Sequence, residues 1–400
     1  MEEQKNKNVK KIAIAIVMVG VIIVLAVCFV IAYNNTKESN NQANTISTNN
    51  SNIASTTTSK NTSSSNGTST SNSKNMNITS GGNYDLSGEY ESIIVNTSEE
   101  VTLNLNGVEI TNSSGPAINI EKAKKVTIVL SGTNKLTSTT TEDLDGAIYS
   151  KADLVFSGSG SLEVKSNYDG IVSKDTLVIK NGTYTITSDD DGIRGKDSVE
   201  IQDVTFTINA GGDGIKSSND EDTSLGYVTI TGGTYNITAK SDGIQGITKA
   251  TISGGTFNIK SSEGIEATYV KIDDGTINIE ASDDGINASK KSNISTPTIE
   301  INGGNITIKM GQGDTDGIDA NGNIYINGGT INITGNSPFD YDGTAQYNGG
   351  TIIVNGTETN TITNQMMGGG MNGGMPGQMN QNGNMPNGGE MQMNGGRRGR

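Results

Sequence analysis

The sequence contains no histidine, no tryptophan, five prolines and one cysteine in 400 residues. Without histidine, the usual general acid and base near neutral pH is missing, and so is the commonest transition-metal ligand. Ser-His and zinc chemistry are therefore excluded. The single Cys28 lies in an apolar N-terminal segment, so the remainder of the chain forms no disulfide and is held by packing and backbone hydrogen bonds. Positive charge is also scarce: 28 Lys and Arg stand against 43 Asp and Glu, a formal net charge of −15. Phosphate binding needs clustered Lys and Arg, so this balance argues against nucleic acid as a partner and for cations. Any site must be built from oxygen ligands, Lys or Arg.

Composition shifts divide the chain. Residues 1–11 form a basic tip with Lys5, Lys7, Lys10 and Lys11, and Ile12 to Ala32 contains no charged residue. A helix of that length rises roughly 30 Å, enough to cross a hydrocarbon core. The positive-inside rule then predicts a single-pass anchor over 12–33, with the N-terminus cytoplasmic and the following chain extracellular. Leu25-Ala26-Val27-Cys28 gives the alternative of a lipoprotein anchored at Cys28, although Val27 stands where a small residue is expected. Residues 34–80 are almost wholly Ser, Thr and Asn, which predicts a disordered stalk. Residues 365–400, rich in Gly, Met and Asn, read as a disordered tail.

Between them, 81–364 rewrites one phrase. Gly232-Gly233-Thr234-Tyr235-Asn236-Ile237 returns as Gly254-Gly255-Thr256-Phe257-Asn258-Ile259 and as Gly328-Gly329-Thr330-Ile331-Asn332-Ile333. An acidic-Gly-Ile step recurs at Asp169, Asp191, Asp213, Asp242, Glu263, Asp284 and Asp316. Asp169 to Asp191 and Asp191 to Asp213 are 22 residues each; Asp242 to Glu263 and Glu263 to Asp284 are 21 each. The longer gaps contain 217–225 and 290–297, which read as loops leaving the repeat. Within a repeat, apolar residues alternate with polar ones in three short runs, the signature of three strands. At about 3.3 Å per residue, such a repeat closes one coil, and coils stack by parallel pairing. The expected fold is all-β: a right-handed parallel β-helix of about 21-22-residue coils. Stacking should place Ile186, Ile208, Ile237, Ile259, Ile279, Ile308 and Ile333 in one interior ladder. Gly-Gly and Asp-Gly should supply tight corners through positive φ. Small aliphatic ladders need no central aromatic cluster, in keeping with an aromatic content of 4%.

Leu103-Asn104-Leu105-Asn106-Gly107, Gly115-Pro116-Ala117-Ile118, the Asp-Gly-Ile steps and the Gly-Met-rich tail together resemble bacterial cell-surface carbohydrate-binding β-helix domains, which are shaped like pectate lyases. The resemblance covers Gly81 to Met375. It implies calcium at the coil corners and affinity for polygalacturonate-like or cellulosic chains, without clear catalytic activity.

The residues at the acidic corner carry their own argument. Stacked about 4.8 Å apart, neighbouring carboxylates repel by on the order of 3 kcal/mol per pair at an effective dielectric of 20. Such a column calls for protonation, a basic partner or a bound cation. Oxygen ligands without histidine favour calcium. The residue after Ile is Arg194 or Lys216 in earlier coils and Glu266, Asn287 or Asp319 in later ones. The metal candidates are therefore Asp242, Glu263, Glu266, Asp283, Asp284, Asn287, Asp314, Asp316 and Asp319. Tyr168, Asp169, Asp191, Arg194, Asp213 and Lys216 are the candidates for contact with acidic plant or cell-wall polysaccharide. Against this, Asp-Gly is an ordinary turn pair, and Arg194 and Lys216 can simply neutralise their neighbours. A non-catalytic binding module is favoured, with a calcium-dependent pectate lyase and a structural or adhesive wall protein as alternatives.

Overall fold

Alternation sets the local structure. In the strand Thr234–Ala239, Tyr235, Ile237 and Ala239 are buried while Thr234, Asn236 and Thr238 face outward. The computed structural model describes residues 74–311 and 315–364, and every regular element within them is a strand. One coil consists of Thr234–Ala239, Asp242–Gly246 and Lys249–Ile252. The next consists of Thr256–Ser261, Glu263–Ala267 and Tyr269–Ile272, each strand pairing in parallel with its counterpart. Equivalent residues on successive coils, such as Asn236, Asn258 and Asn278, are 22 and then 20 positions apart. The acidic-Gly-Ile strands belong to one 12-stranded sheet, and the other strands make a second sheet of 21. The loops 217–225 and 290–297 leave the coils between strands, where the spacing broke.

The interior ladder from Ile186 to Ile333 forms in register across seven coils, and every member is buried. Each buried Ile contributes about 1.5–3 kcal/mol relative to an exposed one, so repetition compensates for the thinness of the core. Two residues earlier along the same strands the core is aromatic. Tyr184, Phe206, Tyr235 and Phe257 stack with centroids 4.4–5.9 Å apart, and Phe156 meets Tyr184 edge-on at 5.9 Å. The buried hydroxyls of Tyr184 and Tyr235 donate to Asn181 and Gly232 carbonyls at 2.8 and 2.7 Å. The expectation that aliphatic ladders need no aromatic cluster is corrected here, because the few rings are concentrated in one column.

The two kinds of corner glycine also differ. Gly255 has φ +111°, as the Gly-Gly corner requires. The glycines of the acidic steps do not adopt positive φ. They are required by close approach instead: a Cβ on Gly243 would lie 2.3 Å from Ile259 Cγ2 and 2.6 Å from the Gly264 oxygen. Gly243→Ala should therefore cost about 1–3 kcal/mol in chemical denaturation, the usual range for overpacking. An unchanged midpoint would show that the coils can part without penalty.

Parallel pairing begins at Asn75–Ile78, ahead of Gly81 and inside the stretch read as stalk. The last coil ends in an antiparallel hairpin, Thr351–Val354 with Thr357–Thr359, turning through Asn355 and Gly356 at φ 50° and 78°. The basic tip 1–11, the expected span 12–33 with Cys28, residues 34–73 of the stalk, Asp314 and the tail 365–400 lie outside the described residues. Among the described residues no helix is long and apolar enough to cross a membrane.

Candidate functional site

Because each step's glycine lets the coils close, the acidic residue before it falls into one column. The like charges are first managed by the backbone. Oδ1 of Asp169, Asp191 and Asp213 accepts the N–H of Asp191, Asp213 and Asp242 on the next coil at 3.0, 2.8 and 2.9 Å. Asp284 Oδ1 accepts from Asp316 at 3.1 Å in the same way. Oδ2 of Asp169, Asp191 and Asp213 meets Arg194 or Lys216, the residue after Ile, and that register position forms a second column: Arg194, Lys216, Gln245, Glu266, Asn287, Asp319 and, after Phe339, Asp340. The site therefore runs from basic to acidic along the stack.

In the earlier coils the column is closed by ion pairs. Arg194 Nε and Nη2 donate to Asp169 Oδ2 at 2.8 and 2.6 Å, and Nη2 also reaches Asp145. Lys216 Nζ lies 2.7 Å from Asp213 and 3.2 Å from Asp191. Burial pushes Asp169 up to about 7 despite Arg194, while the surrounding carboxylates hold both Arg194 and Lys216 above their usual values against their own burial. Both bases stay charged and committed to their neighbours.

In the later coils the position after Ile offers no basic residue. One carboxylate oxygen from each of Asp242, Glu263 and Glu266 lies within 4.8 Å of the others. Gln245 bridges Asp242 and Glu266 through Nε2, and Lys291, from the loop 290–297, pairs with Glu266. Among the described residues, that leaves one ammonium for three carboxylates. Burial and then the Asp213 charge push Asp242 up to about 8, and burial with Glu266 pushes Glu263 to about 7. Asn287 gives an amide N–H to Glu263 at 3.0 Å, yet its buried Oδ1 has no hydrogen-bond partner among the described residues. Further along, Asp319 is pushed up to about 7 by burial and by Asp284, Asp316, Asp340 and Asp342, and burial lifts Asp284 to about 6. An enclosed acceptor beside under-neutralised carboxylates suits a hard cation, which needs oxygen ligands and no protons.

Of the residues singled out from sequence, Asp169, Asp191, Arg194, Asp213 and Lys216 meet in one ion-pair network, and Asp242, Glu263, Glu266 and Asn287 in one oxygen cluster. Asp284, Asp316 and Asp319 follow on the next coils, while Asp283 is exposed beside Asp284 and Tyr168 is half-buried beside Asp169. Sequence reasoning missed Gln245 and Lys291. Gln245 was detectable, since it occupies the same place after Ile as Arg194 and Glu266. Lys291 carried no signal, because it comes from an insertion outside the repeat.

The model of the family of carbohydrate-binding domain-containing proteins matches residues 71–317 and 261–375. The chain belongs to this family. The matched stretch contains both the ion-paired and the oxygen-rich ends of the column, and it starts ahead of Gly81, as the strand Asn75–Ile78 does. A solved structure of a polysaccharide lyase-like protein from C. thermocellum, a gadolinium derivative, is 26% identical to this carbohydrate-binding family member. It covers 65% of this chain and 87% of its own, with a TM-score of 0.36. No curated protein matches the chain.

Proposed function

We propose that this protein is a non-catalytic binder of acidic polysaccharide, in which the later coils hold calcium and the calcium receives the carboxylates of the sugar chain. The observation that carries this reading is the cluster of Asp242, Glu263 and Glu266 with the unpaired Asn287 oxygen beside it. These four residues would hold the ion, and Asp284 and Asp319 would form a second candidate set. Calcium would supply the positive charge that Arg194 and Lys216 supply in the earlier coils. The parallel stacking of three-stranded coils supports a right-handed parallel β-helix as the frame. A span over 12–33, or lipidation at Cys28, would hold it at the outer cell surface.

A lyase of this shape needs a basic side chain free to take a sugar proton. Arg194 is 16% exposed and engaged by Asp145, Asp169 and Asp191, which favours binding over catalysis. The test is uptake of polygalacturonate by the full chain with calcium and with chelator, following ultraviolet absorbance of unsaturated sugar ends in the same tube. Saturable uptake lost with chelator and a flat absorbance are expected. Rising absorbance would make the protein a lyase, and no uptake in calcium would leave the column a purely structural device.

A further inference from the structure

The loop 290–297 is fastened to the oxygen cluster of the later coils. It joins the strands Ile286–Ala288 and Thr298–Ile301, so residues 289–297 stand where the preceding coil has Thr268 alone between Glu263–Ala267 and Tyr269–Ile272. Its side-chain contacts with that coil centre on one carboxylate. Lys291 Nζ lies 2.5 Å from Glu266 Oε2, and Ser289 Oγ donates to Glu266 Oε1 at 2.7 Å. Beside them, the Ser292 N–H donates to Thr268 Oγ1 at 2.8 Å. Asn293 to Thr296 are exposed, and Ile294 is the one large hydrophobic side chain exposed among the described residues. From Ser289 to Thr296 no apolar side chain is buried, so hydrogen bonds and one ion pair hold the segment. That is the pattern of a loop that opens locally at small cost.

The Glu266 side chain is 6% exposed, and its acceptor positions are nearly all taken. A carboxylate offers about four lone pairs. Lys291 and Gln245 Nε2, at 3.1 Å, use those of Oε2, and Ser289 uses one of Oε1, so a single position remains. Calcium takes about six to eight oxygen ligands, and it repels an ammonium held on the same oxygen. We infer that Lys291 is a tethered counter-ion of Glu266 which a divalent cation entering the cluster displaces, so that ion uptake and release of the loop 290–297 are one coupled event. The inference rests on the reading of Asp242, Glu263, Glu266 and Asn287 as a cation site and names how that site is regulated. The buried Asn287 Oδ1, without a hydrogen-bond partner among the described residues, is an acceptor that Lys291 does not occupy, so an ion can engage the cluster before the lysine leaves. A competitor tethered to the chain acts at a fixed effective concentration. It therefore raises the calcium level at which the site fills by a constant factor, set by the fraction of molecules whose loop is open. By reciprocity, calcium opens the loop by the same factor.

The experiment measures calcium binding to the full chain by calorimetry and follows hydrogen exchange of the amides from Ser289 to Thr296 in chelator and in saturating calcium. In wild type, calcium should speed exchange at Ser292 by about tenfold or more, the ordinary size of a coupling between sites. Lys291→Met should bind calcium tighter by a similar factor, with its Ser292 amide already fast in chelator. Ser289→Ala, which loosens the same carboxylate while keeping the ammonium, should move both readouts in that direction by less. Lys290→Met removes the same charge from the exposed neighbour and should stay within about twofold of wild type, as a surface charge does. Calcium binding that leaves the Ser292 amide unchanged or slower would mean that Lys291 stays beside the ion, which overturns the displacement and leaves the calcium reading standing. Equal tightening by Lys290→Met and Lys291→Met would overturn it as well, because long-range charge would then be the whole effect. If neither wild type nor Lys291→Met binds calcium, the calcium reading falls and this inference with it, whereas binding by Lys291→Met alone would support a lysine that excludes the ion.

Discussion

Asp242→Asn should raise the thermal stability of the calcium-free protein at pH 8.5 by about 5 °C and remove much of the stabilisation that calcium gives the wild type. A shift of that size corresponds to a few kcal/mol in a domain of this length. The direction follows from linkage. The folded-state value for Asp242, about 8, lies above the ordinary carboxylate value of 3.8, because burial and the Asp213 charge disfavour the ionised form. A group raised on folding contributes stability that is fully present below its unfolded value and is lost as pH rises through its folded value. Calcium-free wild type should therefore melt at progressively lower temperature from about pH 4 to about pH 8. Asparagine cannot ionise, so the variant should lose the Asp242 share of that fall, keep the shallower fall owed to Asp169, Glu263, Asp284 and Asp319, and match wild type near pH 4. Calcium bound only by the folded state adds RT ln(1 + [L]/Kd), and losing a ligand oxygen that carries charge weakens that gain. Unfolding curves for both proteins at pH 4.5 and 8.5, in chelator and in calcium, check all four statements. A wild type whose chelated stability does not fall with pH, or a variant that gains as much from calcium as the wild type, would remove Asp242 from the ion's ligands.

The frame of this molecule was legible because its signal is repeated. The Ile237 ladder follows from period-two alternation multiplied by a coil of 20–22 residues, and the loops at 217–225 and 290–297 follow from breaks in that spacing. The acidic column was legible for the same reason. Its partners were only half legible. The change from Arg194 to Glu266 in one register position revealed which coils are under-neutralised, but Arg194 reaching Asp145, 49 residues away, depends on side-chain reach between coils. The backbone N–H donated to Oδ1 of Asp169, Asp191, Asp213 and Asp284 relieves repulsion through strand geometry, which no residue type encodes. The aromatic stack shows the opposite failure. Tyr184, Tyr235 and Phe257 follow Gly-Thr dipeptides in plain view and Phe206 follows Val204-Thr205, and a chain-wide average of 4% concealed their concentration in consecutive coils.

Arg194→Met should destabilise the protein by about 3–5 kcal/mol, whether or not calcium is present. Removing one partner from a buried pair leaves the other charge enclosed and unpaired, and that cost exceeds the net value of the pair itself. Asp169 has 2% of its side chain exposed and receives two guanidinium contacts, so its carboxylate has little access to water once Arg194 is gone. Protonation is its escape, and the loss should shrink as the pH falls below about 7, the value to which burial already lifts it beside Arg194. Arg194→Lys should recover only part of the loss, since an ammonium cannot span Asp145, Asp169 and Asp191 with a planar fork of donors. Denaturant titrations of the three proteins at pH 5 and pH 8 give the comparison. A stable Arg194→Met protein that had lost only sugar binding would instead mean that Arg194 is held for the ligand, and its ion pairs would then be a resting state that the polysaccharide displaces.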